Sequence, residues 1–422
     1  MRLTKRTKEL IDTEKENARK KLLRFIFAVP FWLILAAVIL IVFGTCRAIF
    51  LIDTRPDQHV AEIWQSSSDT SFRHMSVFAG GIRAHGDNSP LTYMEGGKSI
   101  HLADIALMRS TLQASSDTGS ASSTRKINSS DTKLRGWEDC YSSTVMATLN
   151  AIEVKDGLEV TSGTADAQLV AVGGNYRAFH PFRYLSGGFL PETPVDTNQI
   201  VINDVLAWKF YHSYDVIGNR IIINDQMFTI IGVVEEKNTK VAELAGEQEN
   251  RAFVYFGTLG SIYANSDTEG AGESKVPADY AIQCYEAILP ELVKGVGVSD
   301  FKNAMPSYSL TNPQLYVVNN TGRFGVTRIL DTVFPLGETD RDRMGYEFPY
   351  WEKAAQLTEQ RLFYDYFIIA AGIILLFIGI VMILMKIRAR KTTDPDETEH
   401  KEAEIRIPKF DNALILTPDN DL

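Results

Sequence analysis

The sequence predicts an α+β extracytoplasmic domain held between two transmembrane α-helices. Two runs carry no charge at all, 22 residues over 25–46 and 20 residues over 366–385. A hydrocarbon core about 30 Å thick needs ~20 apolar helical residues, and both runs meet that length. Between them, short strand-like runs alternate with helix-like runs and turn signals, as in a mixed domain. The flanks set an orientation. Residues 1–24 hold nine Lys or Arg against four acids, and Lys386, Arg388, Arg390 and Lys391 follow the second run before any acid. Both termini are therefore expected in the cytoplasm of a plasma-membrane protein, with the central domain outside.

Composition narrows the function. A formal charge of −10 excludes broad nucleic-acid binding, and three cysteines do not make a disulfide scaffold. Cys140 and Cys284 read as lying in polar surroundings, and their pairing is left open because sequence gives no distance between them.

Residues 1–24 read as a basic cytoplasmic helix, with Ile11, Ala18 and Leu22 on one face. It is either a solvated juxtamembrane helix or a docking helix for a cytoplasmic partner. The first apolar run, 25–46, is longer than a signal-peptide core and has no small-x-small site after it, so it reads as an uncleaved anchor. The large domain is expected over 47–347. "HMSVFAG" suits a strand and "SIHLADIALMRSTLQA" a helix. The Ser/Thr-rich stretch near 113–133 reads as a mobile insertion. Residues 137–151 read as helix, and "DGLEVTSG" and "QLVAVGGN" as two strands. "RYLSGGFLPE" places Gly187 and Gly188 at a bend where one of them takes positive φ. "QIVIN" is a strand, Asn203 or Asp204 caps the next helix, and Gly218 ends the loop after it. "RIIIN" and "QMFTIIGVV" form a hairpin about Asn224-Asp225, with Gly232 inside the sheet where close packing excludes a side chain. "ENRAFVYFG", "YAIQCYEAILP" and "PQLYVVNN" are strands, and "VSDFKNAM" is a short helix. Residues 348–365 form a stalk helix with Trp351, Ala355 and Leu362 on one stripe, running unbroken into the second membrane helix, 366–385. Gly372 and Gly379 offer that helix a small-residue packing surface, and these five residues are the candidate partner-packing set. Residues 386–422 are a polar cytoplasmic tail.

Local motifs for chemistry are missing. Gly97-Lys98-Ser99 is half of a phosphate-binding loop, but position 92 is Thr where the motif needs Gly. The seven histidines include no i,i+4 pair, and there is no Gly-x-Ser-x-Gly. No catalytic, cofactor-binding or metal-binding residue is therefore assigned, and no cofactor is expected.

The stretch "QIVINDVLAWKFYHSYDVIGNRIIINDQMFTIIGVVEE" carries a resemblance. A strand ending in Asn203, a helix with Leu206-Ala207, a loop closing on Ile217-Gly218 and a hairpin ending in "TIIGVV" resemble the MacB-like periplasmic core domain. "GGFLPE" resembles that family's Gly-x-Phe turn, and "AFVYF" its following strand. The family lies in type VII ABC permeases, the macrolide-exporter and FtsX-like group. The motifs cover roughly residues 160–257, and the layout agrees over about 25–390. Family permeases usually carry three membrane helices after the outer domain, and this sequence shows one. The resemblance thus implies a truncated, non-catalytic subunit that works beside a separate ABC ATPase and permease. The alternative is a two-anchor extracytoplasmic enzyme or sensor.

Overall fold

The computed structural model describes residues 28–66, 71–79, 82–84, 91–93, 100–120, 136–155, 158–247, 249–263, 282–291, 293–305, 315–333 and 348–393, with five isolated positions before residue 28. The expected N-terminal helix, the Ser/Thr-rich stretch beyond residue 120 and the C-terminal tail beyond 393 fall outside these. The chain forms two compact units, Ala48–Tyr364 and a smaller one made of Met1–Arg47 with Asp365–Leu422.

The large unit is built on a ten-stranded sheet. In chain order the strands are β1 (Ser71–Ala79), β2 (Ile82–Ala84), β3 (Leu91–Tyr93), β4 (Glu138–Lys155), β5 (Leu158–Gly174), β6 (Arg183–Gly187), β7 (Gln199–Asn203), β8 (Arg220–Ile223), β9 (Gln226–Glu235), β10 (Arg251–Tyr255), β11 (Cys284–Glu291) and β12 (Leu315–Asn319). Among the described residues, β2 and β3 pair with each other in a separate two-stranded sheet. The main order is β12-β1-β11-β4-β5-β10-β7-β9-β6, and β8 pairs with both β4 and β9. Those last two pairings close β4, β5, β10, β7, β9 and β8 into a ring.

Strand period explains the core. Alternate residues of one strand point to opposite faces. Met75 and Val77 of β1, Tyr285 and Ala287 of β11, Leu169 and Ala171 of β5, and Ile200 and Ile202 of β7 share one apolar cluster. Their neighbours Phe78, Cys284, Ile288, Val170 and Val201 belong to a second cluster on the other face. The first face is covered by helices, among them Leu102–Ser120, which brings Ile105, Met108 and Leu112, and Val296–Ala304, which brings Phe301.

Several expectations change. Residues 137–151 lie mostly in strand β4 and not in a helix. Val145, Ala147, Leu149 and Ala151 are its buried alternate positions. The two expected strands after it are one strand, β5. The helix Leu102–Ser120 runs six residues past the expected end, into the stretch read as an insertion. Cys140 and Cys284 are buried free thiols on neighbouring strands, and Cys140 lies 3.8 Å from the Glu286 carboxylate.

The turn chemistry is as its residues require. Asn203 in extended geometry accepts a hydrogen bond from the Leu206 amide, capping the helix Asp204–Tyr211. Asn224 and Asp225 both take positive φ in the β8–β9 turn. Of the two glycines at the bend, Gly187 has φ +65°, and Gly218 has φ +88°. Around Gly188 a Cβ would meet open space, whereas at Gly232 it would lie 1.9 Å from the Gly188 carbonyl oxygen.

In the smaller unit, the helix Val29–Asp53 and the helix Tyr350–Thr393 are each long and apolar enough to cross a membrane. They pack through glycine: a Cβ at Gly372 would meet Ile41 and the Ala37 carbonyl, and one at Gly379 would meet Ile34. Gly44 faces Ile368 and Ile369 in the same way. Small residues let helix backbones approach closely in lipid. Arg47 and Asp365 form an ion pair at 3.0 Å.

Candidate functional site

The second face of the sheet carries the chemistry. It is covered by the segment after the first apolar helix, by the short helix Tyr176–Phe179 and by the first turns of the helix Tyr350–Thr393. Among the described residues, the buried pairs Arg55–Glu247, Arg251–Glu236, Arg323–Glu352 and Arg323–Glu359 lie on this side.

Arg323 sits in the turn that follows β12. Its guanidinium grips Glu352 in a two-pronged pair, Nη1 to Oε2 at 2.6 Å and Nη2 to Oε1 at 2.7 Å. Its Nε donates to Glu359 at 2.5 Å, and Nη1 also reaches Gln58 at 3.1 Å. All four residues are buried. Glu352 and Glu359 are seven apart on one helix, hence two turns apart on one face. A planar five-donor fork is the side chain suited to this work, and Arg323 is held charged. Burial disfavours its charge, but the two carboxylates outweigh that and push its pKa well up.

A second set lies alongside. Fully buried Arg55 pairs with Glu247. Asp57 meets Lys237 at 3.3 Å and accepts from Gln58 at 2.8 Å. Burial would raise the Asp57 carboxyl, but Lys237 and Arg55 override it and hold the pKa at about 2. Arg251 donates to Glu236 at 2.5 Å and stands 3.5 Å above the Tyr350 ring. A cleft of about 650 Å³ opens beside these groups, lined in part by Asp57, Lys237, His180 and Trp351.

A third set is a buried knot of ligating groups. Glu286, at an inward position of β11, has its Oε1 held by His74 Nε2 at 3.1 Å and by the Ser76 hydroxyl at 2.9 Å. Its Oε2 lies 2.7 Å from His180 Nε2 and 3.8 Å from Cys140 Sγ. Burial would raise the Glu286 carboxyl, yet the imidazoles of His180 and His74 carry it below the usual range. Burial, then Glu286 beside it, pushes the Cys140 thiol well up. The His180 ring stacks on Tyr176 at 4.2 Å and meets Trp351 at 4.6 Å.

The residues singled out from sequence fall in two places. Trp351, Ala355 and Leu362 are buried in the large unit, and Trp351 joins the second apolar cluster. Gly372 and Gly379 face the helix Val29–Asp53. Sequence reasoning missed Arg323, Glu352, Glu359, Arg55, Arg251 and the Glu286 knot. One signal was present: Glu286 occupies an inward alternate position in the otherwise apolar run Cys284–Pro290, where a charge needs partners. Histidine spacing along the chain could not find the knot, because its members come from β1, β4, the loop after Tyr176–Phe179, and β11.

No curated protein sequence matches the chain. The periplasmic region of MacB from Actinobacillus actinomycetemcomitans is similar at 16% identity, over 63% of this chain and 94% of that one, with a TM-score of 0.34. The extracellular domain of the noncanonic ABC-type transporter YknZ from Gram-positive bacteria is similar at 11% identity, over 58% of this chain and 100% of that one, with a TM-score of 0.35. Both superpose loosely, and family membership rests on the sequence model. That model, the MacB-like periplasmic core domain, matches residues 91–325, which is more than half of the chain. The chain therefore belongs to the family of MacB-like periplasmic core domain proteins, a family of ABC-type permeases.

Proposed function

We propose that this protein is a non-catalytic, membrane-anchored subunit of an ABC-type transport or mechanotransmission assembly. It supplies the extracytoplasmic domain, with residues 25–46 and 366–385 as anchors and both termini in the cytoplasm, and works with separate ATPase and permease chains. The observation that carries this reading is the grip of Arg323 on Glu352 and Glu359. An α-helix relays displacement only if its end is fixed to the body it drives. Here the first turns of one uninterrupted helix, Tyr350–Thr393, are fixed by buried charge pairs. Removing one partner of such a pair strands the other charge out of water, at a cost of about 3–5 kcal/mol. The helix start therefore moves with the sheet. In this reading Trp351, Ala355 and Leu362 are coupling residues inside the domain, and Gly372 and Gly379 hold the two anchors together.

The test is affinity purification of the full chain from mild detergent after cross-linking in cells, with identification of co-purifying chains. An ABC ATPase and a full permease at near-equal amounts are expected. Recovery of the chain alone, or with non-ABC partners only, overturns the reading.

A further inference from the structure

We propose that Cys140, His180 and Glu286 form a buried binding site for one divalent zinc-type metal ion, seated beneath the start of the helix Tyr350–Thr393. The three offer a thiolate sulfur, an imidazole nitrogen and a carboxylate oxygen that all lie within 4.8 Å of one another. That donor set is the one zinc takes, and thiolate with imidazole disfavours calcium and magnesium. A tetrahedral ion with bonds of about 2.0–2.3 Å sets its ligand atoms roughly 3.2–3.8 Å apart. Cys140 Sγ and Glu286 Oε2 already stand at 3.8 Å, and His180 Nε2 at 2.7 Å from that oxygen needs to withdraw slightly.

The surroundings fit a metal carboxylate. Glu286 turns one oxygen to His180 and Cys140, and His74 and Ser76 hold the other. Asn320 donates to the Ser76 hydroxyl at 2.6 Å, extending the support by one more residue. Ligating groups are commonly oriented by such outer hydrogen bonds. Charge also balances: a dication with one thiolate and one carboxylate is neutral, which a fully buried position demands. On binding, a sulfur–metal bond forms and the Cys140 thiol proton leaves to solvent. His180 lines the cleft of about 650 Å³, which supplies the entry path. Its ring contacts Trp351, so the ion would fix the packing under the start of the helix.

The experiment uses the full chain in detergent, stripped with a chelator and titrated with Zn(II) alone or Co(II) alone. Binding of about one ion per chain is expected, with a near-ultraviolet thiolate-to-cobalt charge-transfer band and a higher melting temperature. Cys140→Ser should abolish the band and weaken zinc binding more than about tenfold, and His74→Asn should weaken it about tenfold while keeping the band. Absence of a thiolate–cobalt band in the parent protein overturns the proposal, whatever the variants do. So does a band that survives in Cys140→Ser, or a parent whose melting is indifferent to Zn(II).

Discussion

The two faces of one sheet are built by different rules. On one face, Met75, Leu169, Ile200, Phe228, Val254 and Ala287 join a cluster made almost wholly of apolar side chains. On the other, Phe78, Val170, Phe253 and Trp351 share the space with buried Arg55, Arg251, Arg323, Glu286, Glu352 and His180. Apart from the Arg109–Asp139 pair at its edge, the first face relies on shape and area, and that part of its stability is non-directional. The second needs each charge to find its partner, and buried pairs of this kind are weak contributors to stability but severe when broken. The polar face is also the one that receives the chain on its way from the first apolar helix and into the second.

The comparison can be broken most sharply at Arg323. Arg323→Met should destabilise the large unit by about 3–5 kcal/mol, because Glu352 and Glu359 stay buried without their cation. Adding Glu352→Gln and Glu359→Gln should return most of that loss. On the apolar face, Phe228→Ala should cost a similar about 3–5 kcal/mol through its cavity, and no second charge change should rescue it. Denaturant melts of the full chain read both; equal failure of rescue on the two faces would erase the distinction.

A smaller effect is expected where the faces share backbone. Gly232→Val should cost about 1–3 kcal/mol or more, since its side chain would collide with the Gly188 carbonyl. Gly188→Ala, in open space, should be nearly neutral in the same melts. Parent-like melting of the Val variant would remove Gly232 from the close approach described.

The smallest effect is pH-dependent and belongs to the polar face alone. Asp57 titrates at about 2 in the folded state, below its ordinary 3.8. Its stabilising contribution is therefore full above about pH 4 and lost as pH falls toward 2, roughly 2 kcal/mol in all. Asp57→Asn should flatten that part of the acid profile and leave the profile above pH 5 unchanged. An identical acid limb in parent and variant would show that Lys237 and Arg55 do not hold the carboxylate down.

Turn and cap chemistry was legible because it is local. Asn203-Asp204, Asn224-Asp225 and Gly187-Gly188 each announce a geometry within four residues, and the structure selects Asn203 as the cap and Gly187 for positive φ. Strand β4 was misread because Met146, Ala147, Leu149 and Ala151 favour helix, while the alternation of Val145, Ala147, Leu149 and Ala151, and the β-branched Thr144, Thr148, Ile152 and Val154, pointed to a strand. Pairing with β5, β8 and β11 settles that ambiguity, and pairing is non-local. The polar face was illegible for the same reason. Arg323 finds Glu352 and Gln58 across long stretches of chain, and no spacing along the sequence encodes that meeting.

The ring of β4, β5, β10, β7, β9 and β8 has a kinetic consequence. Its closing rungs join Leu149 to Ile223 and Gln168 to Arg251, residues far apart in sequence. Loop closure must precede reward for each such rung, so folding should be slow and all-or-none compared with a meander of the same size. Once shut, the ring leaves no whole side of any of its six strands unpaired, and among the described residues the two ends of the main strand order are β12 and β6. A half-made ring would expose several strands at once. The dangerous moment for this protein is therefore during its synthesis and export, before the last rung forms, and not afterwards.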